Sequence, residues 1–186
     1  MVVDVVQAVE SDGPEILALR HAAEDWLAER GIIQWRPREV SVEQVGEQIS
    51  RGEFFVARDR AQSRIVGALR LIWSDPVVWP DSNEPAGYVH GLVIDREFSG
   101  TSLGERLLVW AHRRSAEEGA QYLRLDCVET NVRLRRYYRD AGFAEVGRRD
   151  FGDVVYNGWF SVVLFERSLT RFIHSNFPAG SQCRRG

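Results

Sequence analysis

A short turn at residues 99–104 combines residue types that could hold an anion. It follows an apolar run that ends at Leu92–Ile94, and it leads into a helical apolar stripe that begins at Leu103. The pattern predicts a strand, a glycine-rich turn and a helix. Gly100 and Gly104 let the backbone approach a ligand closely, and unpaired N–H groups at a helix N-terminus favour a negative charge. The turn therefore predicts an anion site for phosphate, and this interpretation is slightly favoured over that of an ordinary structural turn.

Composition and charge narrow the function classes. The chain has 186 residues, of which 44% are hydrophobic and 27% charged, so we predict one domain over residues 1–169 and a tail over residues 170–186. The net charge of -3 gives no overall basic footprint for nucleic acid. Every basic side chain is arginine, which excludes a Schiff-base or phosphate-loop lysine. Neither G-x-G-x-x-G nor G-x-x-x-x-G-K-S/T matches the turn, so the two common nucleotide folds are disfavoured.

Cysteine usage and apolar run lengths predict the compartment. Cys127 lies in an apolar segment and Cys183 lies near the end, and two such cysteines make neither a disulfide framework nor a metal cluster. The first residues have no basic region followed by a long apolar run, and nothing approaches about 18 consecutive apolar residues. We therefore predict a cytoplasmic protein with no bound metal, no membrane contact and no nucleic-acid partner.

Apolar periodicity and turn residues predict the element order β-αα-β-β-β-α-β-α-β-β. Ser41 with Gln44 is a capping-box pattern that opens the second helix, and Gly119 ends the third. The first two helices flank a loop that carries Trp35 and Arg36. The predicted strands lie at residues 2–9, 54–58, 65–73, 88–94, 122–128, 144–151 and 159–166.

This order resembles the GNAT superfamily of acyl-CoA-dependent N-acyltransferases. Two segments carry the resemblance: LVIDREFSGTSLGERLL, which begins at Leu92, and the Asn131, Tyr138, Gly142-Phe143 spacing downstream. The resemblance implies an α/β (α+β) single domain with a mixed, mostly antiparallel sheet of about seven strands and about four helices, and acetyl-CoA as the co-substrate. The family signature has Gln or Arg, then Gly, then Gly or Ala where this chain has Ser99, Ser102 and Gly104. We expect this departure to affect affinity for CoA rather than the fold.

The resemblance also implies roles for particular residues. The fourth strand splays from the fifth, which leaves backbone N–H groups near Leu92–Ile94 free, and Val93 is the candidate oxyanion donor. Tyr138 protonates the departing thiolate, and Asn131 binds the pantetheine arm. The alternatives are that Tyr138 is a core aromatic and that Asn131 caps a helix. The expected cofactor-binding residues are Leu92, Val93, Ile94, Ser99, Gly100, Thr101, Ser102, Leu103, Gly104, Asn131 and Tyr138.

His90 is the candidate general base, because an alkylammonium must lose a proton before it can attack. Strand alternation puts His90 on the same face as Leu92 and Tyr88; the alternative is a hydrogen-bonded strand histidine. The loops and this face suggest an acceptor pocket of Trp35, Arg36, Trp79 and Tyr88, although packing explains these residues equally well. Cys127 has no histidine partner at any informative spacing, so a thiol nucleophile is disfavoured.

These residues predict an N-acetyltransferase that moves an acetyl group from acetyl-CoA to a primary amine by direct attack in a ternary complex. A small-molecule acceptor is favoured, because no acidic or basic peptide track stands out. The alternatives are a protein N-terminal or lysine acetyltransferase and a catalytically idle acyl-CoA-binding module. A homodimer is compatible with this fold through the terminal strand pair.

Overall fold

The computed structural model describes residues 2–153 and 158–169, which form a seven-stranded sheet with helices on both faces. The strand order is β1-β2-β3-β4-β5-β7-β6, and every neighbouring pair is antiparallel except β4 with β5. This confirms the predicted element order and mixed sheet. The elements are β1 (Val3–Gln7), α1 (Gly13–Ala28), α2 (Val42–Ser50), β2 (Phe54–Asp59), β3 (Ile65–Ile72), β4 (Ala86–Ile94), α3 (Leu103–Glu117), β5 (Tyr122–Val128), α4 (Val132–Asp140), β6 (Ala144–Asp153) and β7 (Gly158–Ser168).

Some predicted features lie outside the described residues. These are the tail at 170–186, which includes Cys183, and the connection at 154–157. No helix in the described part of the chain is long and apolar enough to cross a membrane. The predicted homodimer stays a prediction, with β6 at one edge of the sheet.

Alternation along the strands divides the core into two layers. On one face, Leu69, Val89 and Leu125 pack against α3 through Leu107 and Leu108. The other face packs against α1 and α2, where Ile16, Val45 and Ile49 meet side chains of β2, β3 and β4. The sheet is therefore covered on both sides, as its continuous apolar strands require.

Local signals in the sequence fix the helix ends. The Ser41 hydroxyl accepts a hydrogen bond from the Gln44 N–H, and the Gln44 side chain accepts one from the Ser41 N–H, so the predicted capping box is confirmed. The Asn131 side chain accepts a hydrogen bond from the Leu134 N–H at 3.1 Å and so caps α4. Gly119, with a φ of 80°, follows the end of α3.

The sheet opens between β4 and β5. Parallel pairing ends at Val89 and Leu125, although β4 continues to Ile94 and β5 continues to Val128. The last part of β4 is therefore paired with β3 alone among the described strands. The predicted splay is present, and it leaves a wedge between the two strand ends.

A bulge in β4 changes which side chains share a face. His90 is paired with Arg70 and Val93 with Ala68, so two residues of β4 oppose Leu69 alone. Gly91, at the bulge, has a φ of 56°, which an L-residue rarely adopts. His90 therefore shares a face with Val93, on the α1 and α2 side, while Leu92 packs toward α3. The expectation that His90 and Leu92 share a face was wrong, because simple alternation does not include the bulge.

Candidate active site

A cavity of about 1280 Å³ extends into the wedge between β4 and β5. Most of the sequence-predicted site residues line it: His90, Leu92, Val93, Ile94, Ser99, Gly100, Ser102, Leu103, Gly104, Asn131, Tyr138, Trp35 and Arg36. Thr101, Trp79 and Tyr88 are not among its lining residues. A smaller pocket of about 490 Å³, beside α2, contains none of the predicted residues.

The turn before α3 presents a helix N-terminus to the cavity. Ser102 is the residue before α3 and has a left-handed backbone, with a φ of 59°. This is the position where the signature has glycine, and the left-handed conformation costs a non-glycine residue about 1 kcal/mol. The Thr101 hydroxyl instead donates to the Phe98 carbonyl at 2.7 Å and so holds the turn. Serine at position 102 therefore preserves the turn at a small cost in backbone strain.

Gly104 is required by a close approach. A Cβ atom built on Gly104 would lie 2.6 Å from the Tyr137 hydroxyl oxygen, closer than real Cβ atoms come to other atoms. Tyr137 also lines the cavity, and burial raises the pKa of its hydroxyl to about 12. The first N–H groups of α3 have no acceptor within the helix. This part of the cavity fits a group that brings phosphate oxygens, because N–H donors and a protonated hydroxyl face it.

Positive charge collects near this turn. Arg96 stacks on the Trp26 ring at 3.8 Å, and both residues line the cavity. The pKa of Arg96 is lowered, first by burial and then by the positive charges of Arg133 and Arg30. In the described part of the chain, neither Arg96 nor Arg133 forms an ion pair with a carboxylate, so both charges remain available to an anion.

The hydrogen-bond direction in β4 selects which N–H group faces the wedge. The Asp95 N–H donates to the Val66 carbonyl oxygen at 2.9 Å, which directs Asp95 toward β3. Successive residues of an antiparallel strand point their N–H groups to opposite sides, so the Ile94 N–H points into the wedge and the Val93 N–H points to β3. This geometry favours Ile94 over Val93 as the oxyanion donor. Sequence reasoning chose Val93 because the register of β4 against β3 was unknown.

Tyr138 is both a core aromatic and a cavity residue. Its side chain is buried and packs against Phe143, Phe165 and Tyr137, with ring centroids 5.4–6.1 Å apart. Burial raises the pKa of its hydroxyl well above the usual value for tyrosine, so the proton stays bound at neutral pH. The two interpretations from the sequence are therefore compatible, since packing fixes the ring that presents the hydroxyl.

Asn131 joins two elements across the cavity. In addition to capping α4, its amide nitrogen donates to the Gln34 side-chain oxygen at 3.0 Å. Gln34 belongs to the loop between α1 and α2, and both residues line the cavity. Asn131 therefore caps α4. Its side-chain amide, which the resemblance assigns to pantetheine binding, is hydrogen-bonded to Gln34.

His90 is held by an aspartate that sequence reasoning did not identify. Nε2 of His90 lies 3.2 Å from Oδ2 of Asp75, which is buried in the loop after β3. Asp75 accepts a hydrogen bond from the Val78 N–H. Burial acts to raise the pKa of Asp75, but His90, the Val78 N–H and the positive charge of Arg70 together hold that pKa below its usual value. Nε2 therefore faces Oδ2 of Asp75 at ion-pair distance without a well-aligned hydrogen bond, and Nδ1 is the ring nitrogen left for the acceptor amine.

Asp126 is a second polar residue at the site that sequence reasoning missed. It lines the cavity from β5, one residue after the last pair of the β4–β5 ladder, and is therefore opposite His90. Burial raises its pKa to about 6, His90 opposes that shift, and Asp75 adds to it. A signal was present in the sequence: Arg124 and Asp126 alternate with apolar residues in β5, which indicates a polar strand face.

Tyr88 and Trp79 belong to a separate structural cluster around Arg124. Nη1 of Arg124 donates to the Tyr88 hydroxyl at 3.2 Å, and Arg124 forms an ion pair with Glu166 at 2.7 Å. The guanidinium carbon lies 4.9 Å from the centroid of the Trp79 ring. These contacts keep a buried cation satisfied, so packing accounts for both aromatic residues.

The loop between α1 and α2 brings Trp35 to the cavity. The Arg20 guanidinium stacks on the Trp35 ring at 3.9 Å, and Arg20 forms ion pairs with Glu24 and Glu39, each at 2.7 Å. These contacts fix the loop against α1. Cys127 is a buried thiol of β5 in the core on the α3 side, and its pKa is raised to about 12, mainly by burial, which makes it a poor nucleophile.

Comparisons with known proteins agree with this geometry. The model of the acetyltransferase (GNAT) family matches residues 20–143. YesJ of Bacillus subtilis, an uncharacterized N-acetyltransferase, is 30% identical over 173 residues, which cover 88% of each chain. A solved GNAT-family acetyltransferase of Listeria monocytogenes is 26% identical and superposes with a TM-score of 0.73, covering 89% of this chain and 94% of that one. YncA of Salmonella typhimurium, solved with its cofactor acetyl-CoA, is 14% identical and shares the fold, with a TM-score of 0.68 over 98% of this chain and all of its own.

Proposed function

The chain belongs to the GNAT family of acetyltransferases and is an acyl-CoA-dependent N-acetyltransferase, and we propose that it acetylates the primary amine of a small molecule. One observation carries this proposal: a single cavity joins the glycine-rich turn before α3 to His90, which contacts the buried carboxylate of Asp75. We call the part formed by residues 92–94, 99–104 and Asn131 the cofactor end. The part formed by His90 and Asp126, with Asp75 behind His90, is the acceptor end.

The cofactor end would hold acetyl-CoA mainly through backbone groups. The N–H groups that open α3 suit the pyrophosphate, and Arg96 and Arg133 suit a further phosphate. The Ile94 N–H points to the wedge, where it can donate to the thioester carbonyl as charge develops on its oxygen. Acetyl-CoA supplies the activated acetyl group.

Proton transfers are assigned to His90 and Tyr138. His90, fixed by Asp75, takes a proton from the ammonium, and the amine nitrogen then has a lone pair with which to attack the carbonyl carbon. A C–N bond forms and the C–S bond breaks. Tyr138 donates its proton to the departing thiolate, and the proton that the new amide nitrogen loses restores the Tyr138 hydroxyl. The direct route needs no covalent intermediate on the protein, and the raised pKa of Cys127 supports that assignment.

The test of this proposal is an acceptor panel with acetyl-CoA, read out as release of the CoA thiol. Simple alkylamines and polyamines form one half of the panel, and peptides with a free N-terminus or an internal lysine form the other. We expect turnover of small amines to exceed that of peptides. Turnover confined to peptides would instead establish the protein-acetyltransferase alternative.

A further inference from the structure

The acceptor end carries more negative charge than the proton transfers require. Asp75 and Asp126 approach His90 from two elements, the loop after β3 and strand β5. The Asp75 side chain is 8% exposed, and its Oδ2 atom has no well-aligned hydrogen bond. Within the described residues, neither aspartate forms an ion pair with an arginine. Two carboxylates thus flank one imidazole.

Two arginines close to the acceptor end are already paired with other carboxylates. Arg70 is the ladder partner of His90, and its guanidinium lies 2.6 Å from Glu53. Arg20 approaches the β4 bulge, where its Nη1 would lie 3.9 Å from a Cβ on Gly91, and it is bound by Glu24 and Glu39. Arg70 still lowers the pKa of Asp75 through its charge, whereas Asp126 forms no ion pair with an arginine among the described residues.

A metal ion does not explain this arrangement. No group of three or more His, Cys, Asp or Glu side chains in the described residues is placed to hold one. An organic cation fits two carboxylates beside one imidazole, because an alkylammonium has three N–H donors and one positive charge. The substrate of the proposed reaction is such a cation at neutral pH.

We propose that Asp126 binds the ammonium group of the acceptor beside His90, and that the acceptor is a cationic alkylamine without a carboxylate next to its amino group. This inference rests on the proposed function. Asp126 lies within electrostatic range of both His90 and Tyr138, the groups assigned to the two proton transfers. An ammonium bound there meets the base and, once it has lost a proton, lies beside the acid.

The specificity follows from charge and wall chemistry. A carboxylate on the carbon that bears the amine would be brought toward Asp126 and Asp75, and like charges in a partly buried site repel strongly. Val78, Ile33 and Trp35 line the cavity with apolar surface, which suits an alkyl chain. The structure thus favours amines over α-amino acids.

The test uses two probes that differ only in that carboxylate: n-butylamine and norvaline. Each is titrated into the full chain without acetyl-CoA, and the ring resonance of His90, assigned by its loss in His90→Gln, reports binding. We expect n-butylammonium to bind at least about tenfold more tightly than norvaline, and Asp126→Asn to weaken n-butylammonium by about tenfold or more.

Glu129→Gln is the matched control. Glu129 is another cavity carboxylate near the end of β5, but it is paired with Arg148 at 3.1 Å. We expect it to change the affinity for n-butylammonium less than about twofold. The His112 resonance, from α3 outside the cavity lining, reports whether each variant is folded, and Asp126→Ser replaces Asp126→Asn if the latter is not.

Three results would overturn the inference: no saturable n-butylammonium effect on His90 in the wild type, equal affinity in the Asp126 variant, or norvaline binding as tightly as n-butylamine. These results are separate from failure of the proposed function. Binding without turnover of any amine in the panel would remove the acetyl-transfer proposal and leave the ammonium site. If amines are acetylated and Asp126→Asn leaves both KM and kcat unchanged, the acetyl-transfer proposal stands and the ammonium site is removed.

Discussion

The cofactor end and the acceptor end of the cavity are built from different chemical groups. At the cofactor end the donors are largely main-chain N–H groups of one continuous segment, β4 through the start of α3. At the acceptor end the groups are side chains from three separate places: Asp75, His90 and Asp126. A backbone site tolerates changes of residue type if the turn is kept, whereas a side-chain site depends on each residue.

The two ends also differ in how much they destabilise the folded chain. The backbone donors at a helix start are unpaired in any helix, so using them adds no buried charge. At the acceptor end, burial raises the pKa of Asp126 to about 6, which means that its charged form is unfavourable in the folded chain. This difference predicts that substitutions at the cofactor end change acetyl-CoA binding. Substitutions at the acceptor end should change acceptor binding, catalysis and stability.

The largest effect is expected for Gly104→Asp, at the cofactor end. Its side chain would clash with the Tyr137 hydroxyl and put a carboxylate in the anion site. We expect acetyl-CoA binding, measured by calorimetry, to weaken at least about a hundredfold. Gly46→Asp is the control, because a Cβ at Gly46 meets nothing within 4 Å. If Gly104→Asp binds acetyl-CoA normally, the assignment of this turn is wrong.

Tyr138→Phe should separate binding from chemistry. The ring packing is kept while the proton donor is lost, so we expect kcat to fall about a hundredfold with acetyl-CoA affinity nearly unchanged. Tyr137→Phe is the comparison variant, since its hydroxyl faces Gly104 and should alter cofactor affinity instead. An unchanged kcat in Tyr138→Phe would leave only the core role of this residue.

His90→Gln tests the acceptor end directly. Without the base held by Asp75, we expect kcat to fall by about ten- to a hundredfold at neutral pH, and the loss to shrink at high pH, where more of the amine is already neutral. The control is His112→Gln, because the His112 ring accepts a hydrogen bond from Arg167 at 3.1 Å and does not line the cavity. Equal loss in both variants would contradict a specific role for His90.

Asp126→Asn should stabilise the protein while it impairs acceptor binding. Its pKa is raised from 3.8 to about 6, so wild-type stability falls as the pH rises through this window, and the asparagine variant avoids that loss. We expect a melting temperature about 2–6 °C higher near pH 7.5, with the gain shrinking toward pH 4.

Asp150→Asn is the control, and we expect it to lower the melting temperature near pH 7.5, since Ser161 and Arg148 hold the pKa of Asp150 below its usual value. No gain at Asp126, or a gain that grows at low pH, would show that its charge carries no cost in the folded chain.

The smallest effect is expected for Ser102→Gly. Removing the Cβ relieves the left-handed strain beside the anion site, and we expect acetyl-CoA affinity to rise by roughly threefold. Ser63→Gly is a matched control, because Ser63 has a similar φ of 55° in the turn between β2 and β3. A change in affinity in both variants, or in neither, would indicate that Ser102 does not limit cofactor binding.

The two ends were predictable from the sequence to different degrees. The cofactor end could be predicted because its donors follow one another in the chain, and the strand, the glycine-rich turn and the helix are each local patterns. Thr101 does not line the cavity, and the geometry favours Ile94 over Val93 as the oxyanion donor, a choice that depends on pairing with β3. Asp75 was missed because a lone aspartate in a proline-rich loop carries no local signal, and Asp126 because its alternation with Arg124 does not show what it faces.

The sequence by itself determined the element order, the capping box at Ser41, the glycine-rich turn before α3 and the family to which the chain belongs, because all of these depend on neighbouring residues and their spacing. The tertiary structure alone decided that His90 shares a face with Val93, that Asp75 lies 3.2 Å from the imidazole, and that Asp126 is opposite His90 across the open sheet. The physical reason is that a bulge and the end of a strand ladder are set by pairing between distant segments, so the position of each side chain depends on residues far away in the chain.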